Sequence, residues 1–116
     1  MFTCIASIGK MSLSTKPCIT NQQINSLVPK SIYYNEYVYY ALLSITEFIK
    51  STQSSSTLPI INKTEFSKFV LPIPCKAEQT KIANFLTAID DKITAVQTQL
   101  QAVKQYKQGL LQQMFV

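Results

Sequence analysis

The chain has 116 residues, enough for one domain or for a small domain carrying a helical appendage. It holds 11 lysines, no arginine and no histidine against 6 acids, a net charge of +5, which excludes histidine acid–base catalysis and histidine metal ligation. Two glycines, Gly9 and Gly109, cannot build a phosphate-cradling loop, and the basic excess suits a polyanion without being dense enough to prove one.

Six lysines face three acids over residues 1–72, and five face three over residues 73–116, so the charge is spread along the chain. Cys4, Cys18 and Cys75 are odd in number and share no metal or disulfide spacing; they read as reduced thiols of a cytoplasmic protein. The opening residues lack a basic region before their apolar run, and Lys10 ends that run too early for a signal peptide. No stretch reaches the roughly eighteen apolar residues a membrane span requires.

In chain order, Phe2 to Ile8 and Met11 to Leu13 predict two strands around a turn at Gly9-Lys10. Pro17 punctuates, and Ile24 to Val28 predicts a further strand ended by Pro29. From about Glu36 to Lys50 the apolar spacing changes from two to between three and four, predicting a helix. Tyr33, Tyr34, Tyr37, Tyr39 and Tyr40 crowd its start, so some of these rings are expected at the surface, where packing, a wet interface or base stacking could use them. Ser51 to Thr57 is a polar loop. Leu58 to Ile61 and Phe69 to Ile73 are candidate strands separated by a turn entering a single helical turn at 62–66. Pro72 and Pro74 stiffen the exit, and the boundary between globular part and final helix falls near residue 74. Glu78 and Gln79 sit in the first turn of that helix, where a carboxylate meets the positive end of the dipole.

The final helix dominates the pattern. Steps of four and three residues pick out Ile82, Leu86, Ile89, Ile93, Val96, Leu100, Val103, Lys107, Leu110 and Met114, apolar at every position but Lys107. A heptad stripe of this length predicts a coiled-coil seam on a helix of roughly 50 Å. The alternative, an amphipathic helix lying on its own domain, would need a second element of matching length, and the helix around Val38, Leu42, Ile45 and Ile49 is about a third as long. Flanking positions such as Gln97, Gln99 and Tyr106 are mostly neutral, so charge pairing does not choose the partner. Asp90 and Asp91 fall outside the stripe and read as solvated charges, and the Asn-or-Asp-Pro-Pro-aromatic box of adenine methyltransferases is absent.

The segment Leu71-Pro-Ile-Pro-Cys-Lys-Ala-Glu-Gln-Thr-Lys-Ile-Ala-Asn-Phe-Leu-Thr-Ala-Ile-Asp90 resembles the junction in DNA specificity subunits of type I restriction-modification systems. The ending Tyr106 to Phe115 is similar to their C-terminus, and Ser7 to Lys10, Asn21 to Ile24, the tyrosine-rich helix and Leu58 to Ile61 are similar to the later part of their target recognition domains. The resemblance implies an α+β chain: part of a small mixed β/α target recognition domain over residues 1–73, then one long coiled-coil spacer helix over residues 74–116. It also implies a C-terminal fragment, because a full subunit has two recognition domains and two such helices packed antiparallel.

Function follows from the same likeness. The chain is expected to be a non-catalytic specificity component without metal or cofactor, reading one half-site of double-stranded DNA and positioning methylase subunits and, through them, a nuclease and translocase. A second specificity helix or a homodimer mate would cover Ile82, Leu86, Ile89, Ile93, Val96, Leu100, Val103, Leu110 and Met114.

For DNA contact, amides suit adenine edges and lysines suit phosphates or guanine. Thr20-Asn21-Gln22-Gln23 is such a cluster, bracketed by Lys16 and Lys30, with Lys10 and Lys63 as further phosphate candidates in turns. These amides could instead cap turns, and the motif they resemble is shared by members with different targets, which points them toward fold or backbone rather than base discrimination. The competing reading of the whole chain is a coiled-coil interaction protein that binds no DNA.

Overall fold

The structure, a computed structural model, describes residues 1–4, 8–53 and 60–115. Its elements are β1 (Phe2–Thr3), β2 (Ile24–Asn25), α1 (Asn35–Ser44), α2 (Thr46–Ser51), α3 (Lys63–Phe66) and α4 (Lys76–Met114), an α+β assembly as the sequence implies. Two compact units divide it, residues 1–83 and residues 84–116.

In the first unit β1 and β2 pair antiparallel, with Phe2 opposite Asn25 and Thr3 opposite Ile24, and Phe2 also bridges to Met11. The turn expected at Gly9 forms. Gly9 has φ +91°, and a Cβ there would collide with Thr46 of α2 and approach Lys50 Cε to 2.9 Å, so both backbone and space require glycine. Of the strand expected over Phe2 to Ile8 only Phe2–Thr3 is regular, with Ile5 to Ser7 outside the described residues. The strand expected over Ile24 to Val28 stops at Asn25.

The helix expected from Glu36 to Lys50 is two helices. Ile45, at φ −98° and ψ 4°, separates them, and the hydroxyls of Ser44 and Thr46 donate to the carbonyls of Ala41 and Leu42 at 2.8 and 3.0 Å. Such back-bonding competes with the helical ladder and bends it. Of the tyrosines around the start of α1, Tyr37 is buried, and Tyr33, Tyr34, Tyr39 and Tyr40 keep part of their surface open. The Tyr39 and Tyr40 rings meet edge to face at 5.1 Å, and the Tyr37 hydroxyl reaches the Pro72 carbonyl at 2.7 Å.

The single helical turn at 62–66 forms as α3, with the Asn62 side chain accepting from the Glu65 amide at 2.9 Å. Phe69 to Ile73 makes no strand. Pro72 and Pro74 lack donors for a ladder, and the segment is held by its side chains instead. At 58–61, Leu58 and Pro59 lie outside the described residues, and Ile61 donates its amide to the Cys4 carbonyl at 2.9 Å.

Two apolar clusters stabilise this unit. Phe2, Cys4, Ile8, Ile49 and Ile61 form one, flanked by Met11, Ile45, Phe66 and Phe69. The Phe2 and Phe66 rings meet at 5.0 Å, so α3 is pinned by an aromatic contact beyond its burial. The other cluster joins Tyr37 and Ala41 of α1 to Ala83, with Tyr34 and Leu71 against it. Ala83 is fully buried, and its small side chain lets the backbone of α4's root come close to α1. The second unit, residues 84–116, holds the remainder of α4, which ends at Met114; the whole helix has 39 residues, about 58 Å at the usual rise. No helix of the described residues is long and apolar enough to cross a membrane.

Candidate nucleic-acid interface

The polar cluster at Thr20 to Gln23 becomes the tight turn that feeds β2. Asn21 Oδ1 accepts from the Gln23 amide at 3.1 Å, and the Asn21 carbonyl accepts from Ile24 at 3.2 Å, so this side chain is occupied in an Asx turn. Gln23 and Gln22 lend their carbonyls to Cys4, at 3.0 Å to its amide and 3.7 Å to its thiol, while their side chains are exposed. Thr20 and Ser26 close the turn, hydroxyl to hydroxyl, at 2.9 Å.

Lys63 is brought to this turn from forty residues away. Capped by Asn62 at the start of α3, it lines a shallow groove of about 420 Å³ with Thr20, Asn25, Ser26, Ser67 and an apolar floor that includes Phe69. The groove thus offers one cation, three hydroxyls and an amide over apolar ground, a composition that can meet phosphate and sugar. Asn25 is partly committed, since its Nδ2 donates to the Ile61 carbonyl at 3.2 Å.

The other lysines are dispersed. Lys30 lines a separate hollow of about 320 Å³ with Leu27, Val28, Tyr33 and Leu71. Lys10 sits in the Gly9 turn, its amide and carbonyl both bonded to Thr3, and exposes its side chain. Lys16 is exposed in the irregular segment between Met11 and β2 and accepts a bond from Ser14 at its carbonyl. Sequence reasoning missed Lys50, which the Gly9 turn approaches; Lys50 pairs with Glu47 at 2.8 Å, so it is the more neutralised cation. Its only linear signal is the i,i+3 spacing to Glu47.

The heptad stripe is the other candidate surface. Ile82, Ile89, Ile93, Val96, Leu100, Val103, Leu110 and Met114 are all exposed in the single chain, Leu100 at 52% and Val103 at 63%, and Leu86 is half-buried. An exposed apolar stripe of this length exceeds the scattered apolar residues of an ordinary surface. No group of three or more potential metal-ligating side chains occurs among the described residues.

Residues 1–105 match the sequence pattern of the type I restriction modification DNA specificity domain. This chain belongs to that family. Its curated relatives include the type I restriction enzyme MjaIX specificity subunit of Methanocaldococcus jannaschii, 29% identical over 118 residues covering all of this chain and 27% of the relative. The HindI specificity subunit of Haemophilus influenzae is 38% identical over 77 residues, covering 64% of this chain and 17% of that protein. The EcoprrI specificity subunit of Escherichia coli is 28% identical over 98 residues, 78% of this chain and 24% of the relative. The specificity-family chain thus spans about a sixth to about a quarter of the length of these relatives. No solved structure matches it.

Proposed function

We propose that this specificity-family chain is a DNA-recognition module that reads one half-site of duplex DNA and carries no catalytic group of its own. The observation that carries the reading is the family match over residues 1–105, which includes both the Lys63 groove and most of the heptad helix. Residues 1–73 act as part of a target recognition domain, and residues 74–116 act as the spacer helix. The stripe from Ile82 to Met114 takes a second helix, either a second specificity helix or the same helix of another copy packed antiparallel about a twofold axis. Methyl transfer and cleavage belong to separate methylase and nuclease subunits that the module positions on DNA in the cytoplasm.

Within the recognition part, Lys63 supplies a phosphate contact beside the Thr20–Ser26 turn. Gln22 and Gln23 are the amides free to reach base edges, and Asn21 shapes the turn that presents them. Lys10, Lys16 and Lys30 contribute long-range attraction or phosphate contacts at the margins.

A mobility-shift titration over a range of salt concentrations tests this. Phosphate contacts predict affinity falling steeply as salt rises, and K63Q is expected to weaken binding and to reduce the slope of log K against log salt by about one unit. Absence of binding at every salt concentration, with the oligomer intact, would favour the coiled-coil interaction protein instead.

A further inference from the structure

The junction between α1 and the root of α4 is joined by side chains rather than by a ladder. Residues 69–75 form no strand, and Pro72 and Pro74 contribute no backbone donor there. Three side chains make the connection. The Tyr37 hydroxyl donates to the Pro72 carbonyl at 2.7 Å, and Lys76 Nζ donates to the Ser31 carbonyl at 2.6 Å. Gln79 does more than either: its Oε1 accepts from the Tyr34 amide at 2.9 Å, and its Nε2 donates to the Pro74 carbonyl at 2.9 Å.

Gln79 is 2% exposed. Its amide is therefore a buried two-ended clamp, satisfied at both ends between the N-cap residue of α1 and the residue two before the start of α4. The chemistry is selective. Glutamate at neutral pH keeps the acceptor but loses the donor and sets a carboxylate against the Pro74 carbonyl; leucine fills similar volume and makes neither bond; asparagine is one methylene shorter.

We propose that Gln79 is the positioning residue that locks the first two turns of α4 to the N-cap of α1, so that this part of residues 1–83 and the helix root respond as one body. The inference rests on the reading of α4 as the spacer helix of a recognition module. It explains why a glutamine stands in the first turn, a place where the helix dipole alone would favour an acid.

The test uses the full chain without DNA or added partner, so its failure and failure of the DNA-binding reading are distinguishable. Amide hydrogen exchange is measured on wild type, Q79L and Q79E, each at neutral and acidic pH, as protection factors. In Q79L the Tyr34 amide is expected to lose protection by roughly tenfold or more, while Ile61, whose amide bonds the Cys4 carbonyl, keeps its protection. In Q79E the carboxyl keeps an acceptor for the Tyr34 amide whether or not it is protonated, so Tyr34 is expected to stay far better protected than in Q79L at both pH values. A clamp contributing only volume would leave Q79L protected at Tyr34, and a merely steric disturbance would expose Tyr34 equally in Q79L and Q79E. Either of those results overturns the proposal, as does loss of protection at Ile61 and Tyr34 in equal measure.

Discussion

Residues 1–83 and residues 84–116 solve the problem of burial in opposite ways. The first unit buries Phe2, Ile49, Ile61 and Ala83 within its own chain, using short elements stitched by Asn21, Asn62, Asn25 and Gln79. The second holds one helix whose apolar stripe is exposed along its length. One region packs a small core of its own while leaving Ile19, Val28, Phe48 and Val70 exposed, whereas the other presents an apolar stripe without a core beneath it. Substitutions in the two should therefore separate cleanly: core changes lower the stability of the first unit, and stripe changes alter association.

The largest effect is expected from charging the stripe. Placing carboxylates at its centre with I93D and L100D together forgoes burial of about 1.5–3 kcal/mol per side chain and adds the cost of desolvating two acids. Sedimentation should show association abolished, with the cooperative unfolding of residues 1–83 unchanged. Ile49→Ala attacks the other side of the comparison. Ile49 has no exposed surface, so its truncation should cost on the order of 2–5 kcal/mol in urea unfolding followed by a probe in the first unit. If it instead changed association at unchanged stability, the contrast between a unit with its own core and a helix with an open stripe would fail. The smallest effect comes from the α3 cap: Asn62→Ala removes the bond to the Glu65 amide and should cost about 1 kcal/mol by the same unfolding measurement. Because Asn62 sets the start of α3, K63Q and N62A together report whether the groove needs its helix as well as its charge.

The same contrast governs what could be read from the chain. The long helix was legible because its signal is local and repeats over many turns; it begins at Lys76, close to the expected boundary at 74. The first unit was legible only in outline. Its turn at Gly9 and its capped turn at 62–66 have residues whose backbone chemistry is specific, and both form. Helix splitting at Ile45 depends on hydroxyls choosing carbonyls one turn back, which hydrophobic period does not register. Phe69 to Ile73 has a strand's composition, but its prolines and the packing of Phe69 and Leu71 into separate clusters prevail.

The candidate site divides likewise. Lys63 was recognisable as a cation in a turn, yet its meeting with Thr20 and Ser26 follows from α3 docking through Phe66 on Phe2. Asn21 carried the right amide for base reading and is occupied by its own turn, a competition that the residue type alone leaves open. Gln79 was visible only as part of a junction motif; its burial and two bonds come from tertiary contact with Tyr34.

Mass in solution tests the central claim most directly. Light scattering of the full chain at micromolar concentration should report a species of at least twice the 13.1 kDa chain mass if, as proposed, the stripe on α4 takes a second helix. A monomer that keeps α4 fully helical by circular dichroism would contradict it, since the stripe would then be stable while facing water.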